Sequence, residues 1–169
     1  VYITAWYSLC YLARMTRGET LLVHSAAGGV GGAAIRLAQR AGVTVLATAG
    51  TKEKREYVRS MGVEHVFDSR QSGFAAGILK ITSGKGVDLI LNSQPAQFLA
   101  ENLQALGTTG RFVDISESPE IAADPVWAER RDIEFFALNL DEMLNDHPEL
   151  IRSGMSTILD RFARGQIEP

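Results

Sequence analysis

The sequence predicts an α/β fold: a doubly wound parallel sheet of about six strands with helices on both faces. Three observations carry that expectation. Strand-like apolar runs alternate with helix-periodic segments almost end to end. Several of those runs are apolar on both alternations, as strands covered on both faces must be. A cluster of small residues, Ser25-Ala26-Ala27-Gly28-Gly29-Val30-Gly31-Gly32, separates the first run from the helix after it.

The elements follow in order. Residues 2–14 read as helical, with Gly18 marking the turn after them. A first strand is expected over 20–24. The helix over 29–41 places Val30, Ala34, Leu37, Ala38 and Ala41 on one face, and Gly42 closes it. A second strand covers 43–48. Thr51 is the cap of the next helix, which Gly62 ends. A short third strand covers 65–67. A helix over 73–82 stops at Ser83-Gly84-Lys85-Gly86. The fourth strand covers 87–92, a helix 98–106, the fifth strand 110–115 and the sixth 133–138. From Asp141 onward the chain reads as helix, with Leu150, Ile151, Ile158, Leu159 and Phe162 as its apolar side. Residues 116–131, with Pro119 and Pro125, read as a loop over the sheet edge.

Bulk properties narrow the function classes. A chain of 169 residues fits one domain. The net charge of −3, with no basic run, argues against nucleic acid and anionic membrane surfaces as partners. No apolar stretch approaches the roughly 20 residues of a membrane helix, and no signal-peptide pattern is present. Cys10 is the one cysteine, so neither a disulfide framework nor a cysteine-built zinc site is expected, and a reducing, cytoplasmic setting fits. The chain opens at Val1 and ends at Gln166-Ile167-Glu168-Pro169, which reads as a piece of something longer.

The small-residue cluster is the feature with chemistry in it. Ala26, Gly28 and Gly31 fall on the three positions of the dinucleotide fingerprint, between a strand and a helix, which makes the fold Rossmann-like. Ala26 lets the chain turn, Gly28 lets backbone approach a pyrophosphate, and Gly31 lets helix lie close on strand. Free amides of the first helical turn and the helix dipole then favour negative charge. Ala27, Gly28, Gly29, Val30 and Gly31 are therefore the expected pyrophosphate cradle.

The next strand end discriminates between cofactors. An NAD site carries a carboxylate about 20 residues past the fingerprint, for the ribose 2′-hydroxyl. Here Ala47-Thr48-Ala49-Gly50-Thr51 offers none, and Lys54 stands just beyond. NADPH is the cofactor this favours, because a 2′-phosphate needs cations. Arg70 follows the third strand and is a second candidate for that phosphate. Lys52 and Arg55 read as a solvated helix face.

Other residues have plainer readings. His24, His65 and His147 lack metal-ligand spacing, and His24 at a strand end reads as a structural hydrogen-bonder. Asp88, on a buried strand, is expected to bond backbone amides, and Trp6 and Trp127 to pack. Ser25 lacks the Gly-x-Ser-x-Gly frame of a nucleophile elbow, and no Gly-Lys-Ser/Thr follows the glycines as in a P-loop.

Several segments together resemble one family. They are Thr4-Ala5-Trp6-Tyr7-Ser8-Leu9, the His24-to-Gly31 turn, Thr48-Ala49-Gly50-Thr51, Gly62-Val63-Glu64-His65-Val66-Phe67-Asp68-Ser69-Arg70, Gly86-Val87-Asp88-Leu89-Ile90-Leu91-Asn92-Ser93 and Gly110-Arg111-Phe112-Val113. In that order they resemble the enoyl reductase domain of modular polyketide synthases and animal-type fatty acid synthases. That family is a zinc-free, quinone-reductase-like branch of the medium-chain dehydrogenase/reductase superfamily. The resemblance implies hydride transfer from NADPH to the β-carbon of an enoyl thioester on an acyl carrier protein, with protonation at the α-carbon. It implies that residues 1–169 are the nucleotide-binding half alone, with the substrate-binding half and neighbouring synthase domains outside. It places Thr51, Lys54 and Arg70 around the 2′-phosphate, and Asn92, Ser93, Ile115 and Ser116 along the nicotinamide. Thr4 is either a nicotinamide contact or a helix cap.

The match departs at one point. The family commonly continues its Gly-Arg-Phe strand into Gly-Lys, and here Glu117 occupies the lysine position, where a negative charge opposes an enolate. Asn139 and Asp141 each match a family aspartate position. Asp141 is the candidate catalytic residue, with a helix N-cap as its structural alternative. Three functions stay open: an enoyl reductase part, a dinucleotide-binding module that is catalytically silent, and a stand-alone NADPH quinone reductase relative. A homodimer through the fifth and sixth strands is compatible with the sequence and not required by it.

Overall fold

The computed structural model describes residues 1–167. Strands are β1 (Thr20–Val23), β2 (Thr44–Ala49), β3 (His65–Asp68), β4 (Val87–Asn92), β5 (Leu106–Asp114) and β6 (Glu134–Ala137). Among the described residues they form one sheet in the order β3-β2-β1-β4-β5-β6, every neighbouring pair parallel. This is the doubly wound order, with the direction of winding reversing between β1 and β4. The reversal leaves a crevice at the carboxyl ends of those two strands.

The helices are α1 (Tyr2–Trp6), α2 (Gly29–Ala41), α3 (Lys52–Ser60), α4 (Phe74–Ile81), α5 (Leu99–Ala105), α6 (Pro119–Ala122), α7 (Val126–Glu129), α8 (Leu140–Asp146) and α9 (Pro148–Ala163). Local chemistry sets several boundaries. Gly42 ends α2 at φ 76°, and its amide reaches back to Ala38 and Gln39 carbonyls. The Thr51 hydroxyl accepts the Lys54 amide at 3.2 Å and starts α3. Asn139 caps α8 by accepting the Asp141 and Glu142 amides at 3.0 and 3.2 Å.

Each sheet face has its own core. Leu21, Val23, Leu89, Leu91 and Val113 pack with Ile35, Leu37 and Ala38 of α2. Leu22, Leu46, Ile90 and Phe112 pack on the other face with Phe74, Ile78, Leu99 and Leu103. Both alternations of β1 and β4 are buried, which is why those runs read as continuously apolar.

Four expectations about elements are corrected. The opening helix does not run smoothly to residue 14: after α1 it widens into a π-helical stretch, Tyr7–Leu12. Residues 116–131 are not a plain loop, because α6 and α7 lie within them. Ile121 is buried there, and Trp127 stacks on Phe135 at 4.2 Å and donates its indole N–H to the Ile121 carbonyl. The last helical region breaks at His147-Pro148 into α8 and α9, and Leu159 is 59% exposed instead of apolar-facing. Leu106 belongs to β5, not to the helix before it, and the β4–β5 register shifts between Val87 and Leu89.

Candidate functional site

The β1–α2 turn sits at the mouth of the crevice. Gly28 donates its amide to the Ser25 carbonyl at 2.8 Å, which closes the turn, so the Gly28 amide is not among the free donors. The amides of Gly29, Val30 and Gly31 have no protein acceptor among the described residues, and no side chain caps the helix. They are the open donors of a helix N-terminus. Gly31 allows this geometry by its size: a Cβ there would lie 2.7 Å from the Ala26 Cα and the Ser25 carbonyl oxygen.

Beside the turn lies a cleft of about 290 Å³ lined by Ser25, Ala27, Gly28, Ala49, Gly50, Lys54, Ser69 and Arg70. The structure therefore brings Lys54 and Arg70 to one place, from the first turn of α3 and the end of β3. Among the described residues neither side chain has a carboxylate partner. The nearest strand-end carboxylate, Asp68, is committed elsewhere. One oxygen pairs with Arg55 at 2.9 Å and the other accepts the Arg70 amide at 2.9 Å. Arg55 is thus a half-buried structural ion pair, also donating to the Ala49 carbonyl, and not a solvated face. Lys52 does lie on the solvated face.

Gly50 completes the cleft. A Cβ there would meet the Arg70 Nε at 3.1 Å and the Ser69 hydroxyl at 3.4 Å. Ser25, Ser69 and Gly50 are cleft residues that the sequence reading did not single out as ligand contacts. The signal was present in Ser69, a hydroxyl directly before Arg70. Thr51 is spent on its cap and is not a lining residue.

On the other side of the crevice, Ser93 is half-buried and donates its hydroxyl to the Ser25 hydroxyl at 2.8 Å, tying the β4 end to the glycine turn. Ile115 and Ser116 are half-buried at the end of β5. Asn92 is a correction. Its side chain is 1% exposed and lies below the crevice floor, with both amide atoms bonded inside the protein, so it does not line the surface. Thr4 lies inside α1, whose N-cap position is Val1, so it is no cap.

Glu117 and Asp141 face one cavity of about 430 Å³ at the ends of β5 and β6, with Pro119, Leu138, Asn139 and Leu140. Asp141 is exposed in the first turn of α8, and the cap position belongs to Asn139, so the N-cap alternative for Asp141 is set aside.

His24 is buried and structural. It meets the Thr48 hydroxyl at 2.9 Å through Nδ1 and the Asn102 side-chain oxygen at 2.6 Å through Nε2. Burial pushes its pKa down to about 4. Asp88 is surface-exposed, and it accepts the Thr20 amide at 2.7 Å, the kind of bond the sequence suggested.

The zinc-binding dehydrogenase family model matches residues 29–152. The chain belongs to this family. The phthioceranic/hydroxyphthioceranic acid synthase of Mycobacterium tuberculosis is 42% identical over 167 residues. That match takes in 97% of this chain and 8% of the synthase. The X-ray structure of the nucleotide-binding subdomain of the enoylreductase domain of PpsC, also from M. tuberculosis, is 38% identical with a TM-score of 0.88. It covers 99% of this chain and 94% of that one. A mycobacterial structure complexed with NADPH is 25% identical with a TM-score of 0.87, covering 98% of this chain and 52% of that one.

The family's name speaks of zinc, and the donor set bears on whether that metal fits here. Among the described residues no group of three or more His, Cys, Asp or Glu side chains comes together. Burial pushes the Cys10 thiol up, away from the thiolate a metal would need. These residues do not form a zinc site. No helix among the described residues is long and apolar enough to cross a membrane.

Proposed function

We propose that this chain is the NADPH-binding part of an enoyl reductase in a polyketide or fatty acid synthase, working in the cytoplasm. The observation that carries the reading is the convergence of two cations, Lys54 and Arg70, unpaired among the described residues, beside the open amides of Gly29, Val30 and Gly31. Amides and helix dipole suit a diphosphate. The cations, with no competing carboxylate, suit a 2′-phosphate. Thr51 helps by fixing the α3 turn that carries Lys54, and Ala27 and Gly28 by shaping the approach. The PpsC relative is described as a nucleotide-binding subdomain and the NADPH complex shares the fold, which supports the same cofactor here.

When bound, NADPH would supply the hydride for the β-carbon of an enoyl thioester carried on an acyl carrier protein. The chain's own contribution is to bind and orient. Ser93, Ile115 and Ser116 would border the nicotinamide. Asp141, at the cavity by the β5 and β6 ends, is the proposed catalytic residue. The substrate-binding half would belong to sequence outside residues 1–169, among neighbouring synthase domains. Self-association along the β6 edge is part of the same reading.

A second reading, a silent dinucleotide-binding module, is favoured by one observation. Glu117 shares the cavity with Asp141, which puts two carboxylates where an enolate would need positive charge. Turnover by the whole parent synthase decides between them. With a crotonyl thioester, the reductase reading expects NADPH oxidation and saturated product. No oxidation by the wild type, but oxidation by Glu117→Lys, would establish the silent module.

A further inference from the structure

A chain of buried hydrogen bonds crosses the carboxyl ends of β2, β1, β4 and β5, and it has one direction. It ends on the carboxylate of Asp114, which is 2% exposed and can only accept. Asn92 donates Nδ2 to Asp114 Oδ1 at 2.7 Å, so its own Oδ1 faces the other way, toward Asn102 Nδ2 at 3.4 Å. Asn102 then offers its oxygen to His24 Nε2, which must carry the proton, and His24 Nδ1 accepts from the Thr48 hydroxyl. Asp114, together with the Gln94 carbonyl and amide that also bond the Asn92 side chain, thus sets two amide orientations, one imidazole tautomer and one hydroxyl rotor. The neutral state that burial imposes on His24 agrees with this pattern.

Asp114 also grips the crevice edge. Its Oδ1 accepts the Ser116 amide at 3.3 Å and the Ser116 hydroxyl at 2.8 Å, and the same hydroxyl lies 3.0 Å from Oδ2. The adjacent Ile115 amide donates to the Asn92 carbonyl at 2.8 Å. Among the described residues, the hydrogen bonds that hold the Ile115–Ser116 segment therefore come from beneath, from Asp114 and Asn92, which themselves stay out of the crevice.

We propose that Asp114 is a positioning residue for the nicotinamide half of the dinucleotide. This rests on the NADPH reading above. If the 2′-phosphate lies over β2 and β3 and the diphosphate on the β1–α2 turn, the other half must extend across the switch point over the ends of β4 and β5. The surface it meets there is the Ile115–Ser116 backbone, and Asp114 fixes its place. A loosely held segment would weaken binding of that half alone.

The test compares two ligands. NADPH spans the crevice, and adenosine 2′,5′-bisphosphate carries the adenosine 2′-phosphate end without nicotinamide. Asp114→Ala should weaken NADPH about tenfold and change the bisphosphate less than twofold. Asp114→Asn keeps an acceptor oxygen for Asn92 and should restore NADPH affinity to within about threefold of wild type. Ser116→Ala, which removes only the hydroxyl clamp and keeps the buried chain intact, should weaken NADPH about threefold and leave the bisphosphate unchanged; it serves if Asp114→Ala fails to fold. Equal losses for both ligands, or none for NADPH, would overturn the proposal. Wild type binding the bisphosphate as tightly as NADPH would overturn it too, with the phosphate reading left standing. Wild type binding neither ligand would remove the NADPH reading and this inference together.

Discussion

Lys54→Ala combined with Arg70→Ala is expected to weaken NADPH binding roughly 30- to 100-fold while leaving NADH affinity within about twofold. Both cations line the same cleft, and among the described residues neither pairs with a carboxylate. Asp68, the one carboxylate at the end of β3, is ion-paired with Arg55 and accepts the Arg70 amide. Removing the two charges therefore removes attraction for a 2′-phosphate without uncovering a new interaction. Each single change should cost about five- to tenfold, since both groups are open to solvent and partly screened. The loss should shrink as salt rises. A titration of the double variant with both dinucleotides, at low and high ionic strength, checks this. Equal losses for NADPH and NADH would mean that the cations serve the fold and not the phosphate.

The second large effect concerns acid. His24 has a folded-state pKa of about 4 against an ordinary 6.5, because burial disfavours its charged form. The unfolded chain therefore binds a proton that the folded chain refuses, and stability falls as pH drops below 6.5. The contribution is complete above that value and lost by about pH 4. It should lower unfolding free energy by about 2 kcal/mol between pH 7 and pH 5, and by about 3 kcal/mol by pH 4. The proton would also have to enter on Nδ1, where the Thr48 hydroxyl would have to turn from donor to acceptor. Urea unfolding across this range checks the slope. Replacing His24 with Gln should flatten the slope between pH 6.5 and 5, whatever it does to stability at pH 7. A midpoint that does not move between pH 7 and 5 would contradict the neutral, buried assignment.

What the sequence made readable was local. Gly42 as a left-handed helix end, Thr51 as a cap and the small residues of the β1–α2 turn each act through atoms a few positions away. The apolar runs of β1 and β4 announced strands buried on both faces. What was hidden depended on partners far along the chain. Arg55 looks like one more charge on a polar helix until β3 brings Asp68 beneath it. Asn92 reads as a strand-end polar residue open to ligand, and the approach of Asp114 and Asn102, added to its bonds with the Gln94 backbone, holds it inward. Prolines at 119 and 125 suggested a loop, yet the apolar residues Ile121 and Trp127 draw that stretch onto Phe112 and Phe135 as short helical turns. Lys54 and Arg70 could each be named from sequence, while their meeting across Gly50 could not.

The most direct measurement follows the backbone amides of Gly29, Val30 and Gly31 by heteronuclear NMR as NADPH is added. If these open amides hold the diphosphate, their proton resonances should move downfield and saturate, and inorganic sulfate should shift the same three amides weakly. Saturable NADPH binding that leaves those resonances in place would contradict the central role given to the β1–α2 turn.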